Sequence, residues 1–136
     1  MNIFLFLRPK SEVAYLTDDM SIRQALEKME YHRYASIPVL DNNGRYKRSL
    51  SEGDILWFIK NNADLNLKNA EDIPISKVES HRYCKPMHAE CQMEDLIAKV
   101  REQNFVPIIV ADGIFIGIVT RKDIIDYLYS KVDNIE

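Results

Sequence analysis

Apolar positions along this 136-residue chain change their period in a fixed order, and they do so twice. Ile22, Ala25, Leu26 and Met29 follow the i, i+3, i+4, i+7 spacing of one helical face, and Ser21 with Gln24 has the form of a capping box, so a helix is expected to begin near Ser21. The apolar run 37–40, closed by Asp41-Asn42-Asn43-Gly44, reads as a strand entering a hairpin, with 46–50 as the return strand. Ser51-x-x-Asp54 then signals a second helix start, ahead of Ile55, Leu56, Phe58 and Ile59.

The same succession returns downstream. A shift of 69 positions superposes Ile37-Pro38-Val39 on Val106-Pro107-Ile108, Gly44 on Gly113, Ser51 on Thr120, Asp54 on Asp123 and Ile55 on Ile124. A shift of 71 places Leu16, Ile22, Ala25, Leu26 and Met29 on Met87, Met93, Leu96, Ile97 and Val100, so the second copy is two residues shorter ahead of its Pro. Each copy is expected to run strand, helix, strand, strand, helix, which makes the class α+β. Residues 1–62 form the first repeat and 80–136 the second. Residues 63–79, rich in Asn, Asp and Lys and containing Pro74, form a connector with about one helical turn. A half of about 60 residues buries only about 60% of its surface alone, so the repeats are expected to pack together about a pseudo-twofold axis, leaving clefts where small ligands bind.

Composition narrows the function. Eighteen Lys and Arg against 21 Asp and Glu give a net charge of -3, which provides no broad basic face for nucleic acid or anionic lipid. Cys84 and Cys91 are too few to staple a secreted miniprotein and suggest a reducing, cytoplasmic address. The apolar run 3–7 has no basic residue ahead of it and no small-residue cleavage site behind it, so it is not read as a signal peptide. Nothing approaches the roughly 18 apolar residues of a membrane span, so no membrane partner is expected.

The ordered set Ile22-x-x-Ala25-Leu26-x-x-Met29, Ser36-Ile37-Pro38-Val39-Leu40-Asp41 and Ser51-x-x-Asp54 resembles a CBS domain. Val106-Pro107, Asp112-Gly113 and Gly117-Ile118-Val119-Thr120-Arg121-Lys122-Asp123-Ile124 resembles the closing half of another, so the whole chain resembles a tandem CBS pair, or Bateman module. The resemblance implies a non-catalytic regulatory module that binds an adenosine-containing ligand such as AMP, ADP, ATP, S-adenosylmethionine or cyclic di-adenosine monophosphate (c-di-AMP) between its repeats. It implies one site joining Thr120, Arg121, Lys122 and Asp123 to Ala14, Tyr34, Ala35 and Ile37. A second, weaker site would combine Ser51 and Asp54 with segments near Lys85 and Phe105. Arg48 and Ser49 stand where the family pattern has Gly and an apolar residue, against Gly117 and Ile118 in the second copy, which favours the site at Asp123. Thr120-Arg121-Lys122, together with Tyr34 ahead of Ala35-Ser36-Ile37-Pro38, is similar to bacterial pairs that bind c-di-AMP.

The residue types suit such a ligand in their own right. An ionised Asp can accept bonds from both hydroxyls of a ribose, each charge-assisted bond contributing about 1.5 to 3 kcal/mol. N–H groups at a helix start favour an anion, and Thr120, Arg121 and Lys122 add a hydroxyl and two charges. The competing reading is local: Ser/Thr-x-x-Asp satisfies orphan helix N–H groups, worth about 1 kcal/mol, and an Asp so engaged cannot fully serve a sugar.

His81-x-x-Cys84-x-x-x-His88-x-x-Cys91 has metal-like spacing, but if 84–88 runs as a strand its ends lie roughly 13 Å apart, so no metal site is expected. Trp57, Phe58, Tyr127 and Tyr129 exceed the needs of one helical stripe and suggest a homodimer interface. No nucleophile, base and orienting partner share a readable arrangement, so no enzyme is expected. A ligand sensor acting in trans on an effector protein and a ligand-free docking scaffold are the two readings that remain.

Overall fold

Short-range caps set the helix starts. In the computed structural model, which describes residues 2–62, 64–66 and 68–133, Ser21 Oγ accepts from Gln24 N–H at 3.1 Å while Gln24 Oε1 accepts from Ser21 N–H at 2.9 Å. Helix α1 (Ile22–His32) follows directly. The same reciprocal box between Ser51 and Asp54 opens α2 (Glu52–Asn61). In the second repeat α3 (Met93–Glu102) starts after Gln92 with no side-chain cap bond, and α4 (Arg121–Asp133) starts where Thr120 Oγ1 accepts from Asp123 N–H at 3.1 Å.

The strands are β1 (Arg8–Pro9), β2 (Leu16–Thr17), β3 (Ser36–Leu40), β4 (Tyr46–Ser51), β5 (Met87–His88), β6 (Phe105–Ile109) and β7 (Phe115–Thr120). One sheet has the order β2-β3-β4, the other β1-β7-β6-β5. In each repeat a parallel pair bridged by a helix (β2 with β3, β5 with β6) adjoins an antiparallel hairpin (β3 with β4, β6 with β7). The hairpins even share their irregularity, with a register shift at Val39/Leu40 and again, 69 positions on, at Ile108/Ile109. Tandem α+β repeats are therefore the observed architecture. Among its described residues the connector holds two short 3-10 turns, Ala70–Asp72 and Ile75–Lys77, where about one helical turn is expected.

The chain divides into two compact units, Ala14–Tyr83 and Met1–Val13 with Cys84–Glu136. Each repeat is thus completed by the segment that precedes the other one in sequence. In the first-repeat unit Leu16, Ile22, Ala25, Ile37, Val39, Leu50 and Ile55 form a core together with Ile75 and Val78 from the connector. In the second-repeat unit Leu96, Val100, Val106, Ile108, Val119 and Ile124 form theirs with Ile3 and Phe6 from the N-terminal segment. Of the apolar run 3–7, Ile3 and Phe6 are core while Phe4 and Leu5 are exposed, and Phe6 also meets Tyr127 edge to face at 5.1 Å. Burying side chains of this size contributes about 1.5 to 3 kcal/mol each, which is what holds the segment in place.

The pair Gly117 and Arg48 explains how the two attached segments differ. Strand β1 lies antiparallel to β7, with Pro9 opposite Gly117 and Arg8 opposite Ile118. At φ +152 Gly117 occupies a conformation that side chains rarely adopt, and a Cβ there would stand 3.0 Å from the Arg8 carbonyl carbon and closer still to its oxygen. At the matching place in the first repeat Arg48 uses its side chain instead. Its guanidinium donates to the carbonyls of Val78 at 2.5 Å and Ile75 at 2.9 Å and to Ser80 Oγ at 3.0 Å, tying the connector to β4. Among the described residues no helix is long and apolar enough to cross a membrane.

Candidate functional site

At the start of α4 the Asp123 carboxylate meets Arg8 of the N-terminal segment, while Thr120 Oγ1 caps the helix. Arg8 Nε donates to Asp123 Oδ2 at 2.7 Å and Arg8 Nη2 to Asp123 Oδ1 at 2.9 Å, a two-pronged ion pair across 115 positions of sequence. The Arg8 guanidinium, ahead of every other influence, holds the Asp123 carboxyl below its ordinary value; partial burial opposes this, and Thr120 and Lys122 assist it. Asp123 is thus a carboxylate at neutral pH with its side chain 29% exposed, so it stays within reach of a ligand.

The two neighbouring cations expected to meet a phosphate have other partners. Arg121 Nε donates to the Val100 carbonyl at 2.6 Å and Nη2 to that of Arg101 at 3.4 Å, so its side chain caps the C-terminal end of α3. Lys122 pairs with Asp126 at 2.7 Å across one helical turn but is well exposed, and that contact raises its affinity for a proton. A shallow hollow of about 420 Å³ lies here, lined by Asn104, Thr120, Arg121 and Lys122; Asp123 is not part of its wall, because its carboxylate turns toward β1. Arg8 escaped the sequence reading. The only trace it leaves is indirect, in Gly117, whose bare backbone signals that another strand crosses closely.

Asp54 occupies the equivalent place in the first repeat and behaves differently. Its Oδ2 accepts from Ser51 N–H at 2.9 Å, closing the capping box, while its Oδ1 meets both the backbone N–H and the ring Nδ1 of His81 at 2.9 Å. Burial pushes its carboxyl up, but the hydrogen bonds from His81 and Ser51 together outweigh this and hold it below its ordinary value. With its side chain 5% exposed, Asp54 is committed to the fold, and Ser51 is spent as the N-cap. Arg48 and the connector cover the adjoining end of β4.

Of the remaining first-repeat residues named from sequence, Tyr34, Ala35 and Ile37 lie at the start of β3. Tyr34 and Ala35 line a hollow of about 520 Å³ with Met29, Arg33 and Glu52, and the Ala35 carbonyl accepts from Glu52 N–H at 3.0 Å. Asn104 and Arg121 repeat that bond at 2.8 Å in the second repeat. Ala14 is buried at the edge of the first core, and Ile37 is wholly buried within it, so the Ile37 side chain is occupied with packing. Lys85 N–H donates to Gln103 Oε1 at 2.9 Å, which fastens the segment before β5 near Phe105.

The metal-like spacing does not assemble: among the described residues no three His, Cys, Asp or Glu side chains gather as a metal site. His81 is on Asp54, Cys84 Sγ faces the Phe105 carbonyl at 3.7 Å, and His88 Nδ1 accepts from Glu90 N–H. The strand there is only Met87–His88, shorter than the run 84–88 taken from the repeat alignment, because Pro86 cannot donate to a ladder.

The fold is shared with solved structures. CbpB in complex with c-di-AMP superposes with a TM-score of 0.87 at 20% identity, over 99% of this chain and 89% of that one. CbpB of Listeria monocytogenes in complex with c-di-AMP gives 0.81 at 20% identity, over 93% and 94%. CBSX2 in complex with AMP gives 0.76 at 20% identity, over 95% and 96%. No curated protein sequence matches. A family model described as the CBS domain matches residues 6–61 and again 86–130, the same two spans in which the caps, hairpins and register shifts repeat, and by that match the chain belongs to the CBS-domain family.

Proposed function

We propose that this CBS pair is a regulatory module that binds an adenosine nucleotide and passes its occupancy to a partner protein, without catalysing a reaction. Thr120, Lys122 and Asp123 of the second repeat, with Ala14 and the Tyr34, Ala35 and Ile37 backbone of the first, would contribute to one ligand. The observation that carries this reading is Asp123: an ionised, partly exposed carboxylate at a helix start, held from outside by a cation instead of being closed onto its own backbone. Relatives of the same fold in complex with c-di-AMP and with AMP support the ligand class. The two thiols, Cys84 and Cys91, fit a reducing cytoplasm.

Thermal shift against AMP, ADP, ATP, S-adenosylmethionine and c-di-AMP tests it. One adenine compound should raise the melting temperature, and Asp123→Ala should abolish that rise while the unliganded protein still melts cooperatively. A ligand present at 100 times its Kd stabilises by about 2.7 kcal/mol, enough to be seen plainly. No response to any of the five compounds would leave the second reading, a docking scaffold, which is favoured at the first repeat by the closure of Asp54 onto Ser51 and His81.

In both readings the module would act as a homodimer. Ile125, Leu128, Tyr129 and Val132 are exposed on α4, and Leu56 and Trp57 on α2, large apolar side chains of the kind that a partner surface covers. Light scattering at tens of micromolar, a range set by the affinity of an ordinary dimer, should return twice the 15.9 kDa chain mass. A monomer at that concentration would remove the dimer from the proposal.

A further inference from the structure

The Arg8 to Asp123 ion pair bears on which adenosine ligand the site takes. A free 2′,3′-diol needs both carboxylate oxygens side by side. Arg8 holds both of them, through Nε on Oδ2 at 2.7 Å and Nη2 on Oδ1 at 2.9 Å, so a diol must displace the guanidinium. A single hydroxyl need not, because a carboxylate has about four acceptor positions. In a 3′,5′-linked cyclic dinucleotide the 3′ oxygen is esterified, leaving one 2′ hydroxyl beside a phosphodiester. A phosphodiester brought next to Asp123 alone would be repelled. Next to Asp123 paired with Arg8, whose side chain is 47% exposed, it meets a guanidinium whose positive charge offsets that of the carboxylate.

We propose that Arg8 is a specificity-determining residue, which with Asp123 selects adenylates carrying a 2′ hydroxyl next to a 3′ phosphate, as in a cyclic dinucleotide, over 5′ nucleotides with a free diol. This rests on the nucleotide-binding reading above. It draws on one unit only, since β1 places Arg8 on β7, the strand that runs into the Thr120 turn. Asp123 accepts the hydroxyl, and Arg8 stays at its side to neutralise the phosphate.

Calorimetry with 5′-AMP, 3′-AMP and c-di-AMP on the wild type, Arg8→Gln and Arg8→Lys tests it. The wild type should bind 3′-AMP and c-di-AMP at least about tenfold more tightly than 5′-AMP, the effect of one added charge-assisted contact. Arg8→Gln should erase that preference and leave 5′-AMP unchanged or up to about fivefold tighter, because an exposed competing ion pair is gone. Arg8→Lys keeps the charge without the fork and should retain part of the preference. It also guards against a glutamine variant that fails to fold. The carboxyl carbon shift of Asp123, followed by NMR, should titrate closer to its ordinary range in Arg8→Gln, which verifies that the pair exists in solution, while the 3′-phosphate preference is the readout that a merely structural arginine would not move. Equal losses for all three compounds, or an unchanged preference, would overturn the assignment. Binding that depends on Asp123 but ignores Arg8 would sink this inference alone; a wild type that binds none of the three would sink it together with the reading beneath it.

Discussion

Gly117→Ala is expected to cost about 3 kcal/mol of stability, near the upper end of single-substitution effects. Two causes act together. The residue sits at φ +152, where a side chain is strained, and its Cβ would press into the Arg8 backbone, which cannot swing aside as a flexible side chain could. The N-terminal strand must lift away or β7 must bend. Because Ile3 and Phe6 complete the second core, lifting the strand exposes them as well. Urea denaturation should show the midpoint falling sharply, and hydrogen exchange should show protection lost first in residues 3–12. A variant as stable as the wild type, with that segment still protected, would mean that β1 does not lie on β7.

Asp54→Ala should cost about 2 to 3 kcal/mol, because it strands two backbone donors, Ser51 N–H and His81 N–H, that now end on one buried carboxylate. The loss has a pH signature. The folded carboxyl is held below its ordinary value, so Asp54 contributes its stability above the unfolded value of about 3.9. That contribution drains away as the pH falls from there through the lower folded value. Circular dichroism during acid titration should therefore find the wild type losing an advantage below about pH 4 that the alanine variant never had. If the two proteins differ by the same amount at pH 3 and pH 7, the carboxylate is not the group holding the connector. By contrast Asp123→Ala should leave the fold nearly intact, since an exposed ion pair is worth at most about 1 kcal/mol.

These two acids show how far a one-dimensional reading reaches. Ser51-x-x-Asp54 and Thr120-x-x-Asp123 are the same signal, and both open helices. Sequence alone weighed capping against ligand binding for both, with Asp123 favoured through the Gly117 and Arg48 contrast. The difference between them lies in what arrives from elsewhere: His81 closes over Asp54 in the first unit, while Arg8 leaves Asp123 partly open in the second. Arg121 is a similar case. Its position after Thr120 suggested a phosphate contact, but the end of α3 offers unsatisfied carbonyls within its reach, and it takes those.

Element order, helix starts, hairpins and the twofold repetition were written in the chain, because caps, turns and periodicities are interactions among residues three to seven positions apart. The exchange of leading segments, with 2–13 serving the second repeat and the connector serving the first, was not. Strands of two residues carry no period, and their partners are chosen by which sheet edge and which core gap remain to be filled. Those choices depend on space and burial across a hundred positions, so the electrostatic setting of each acid came into being only when the segments docked.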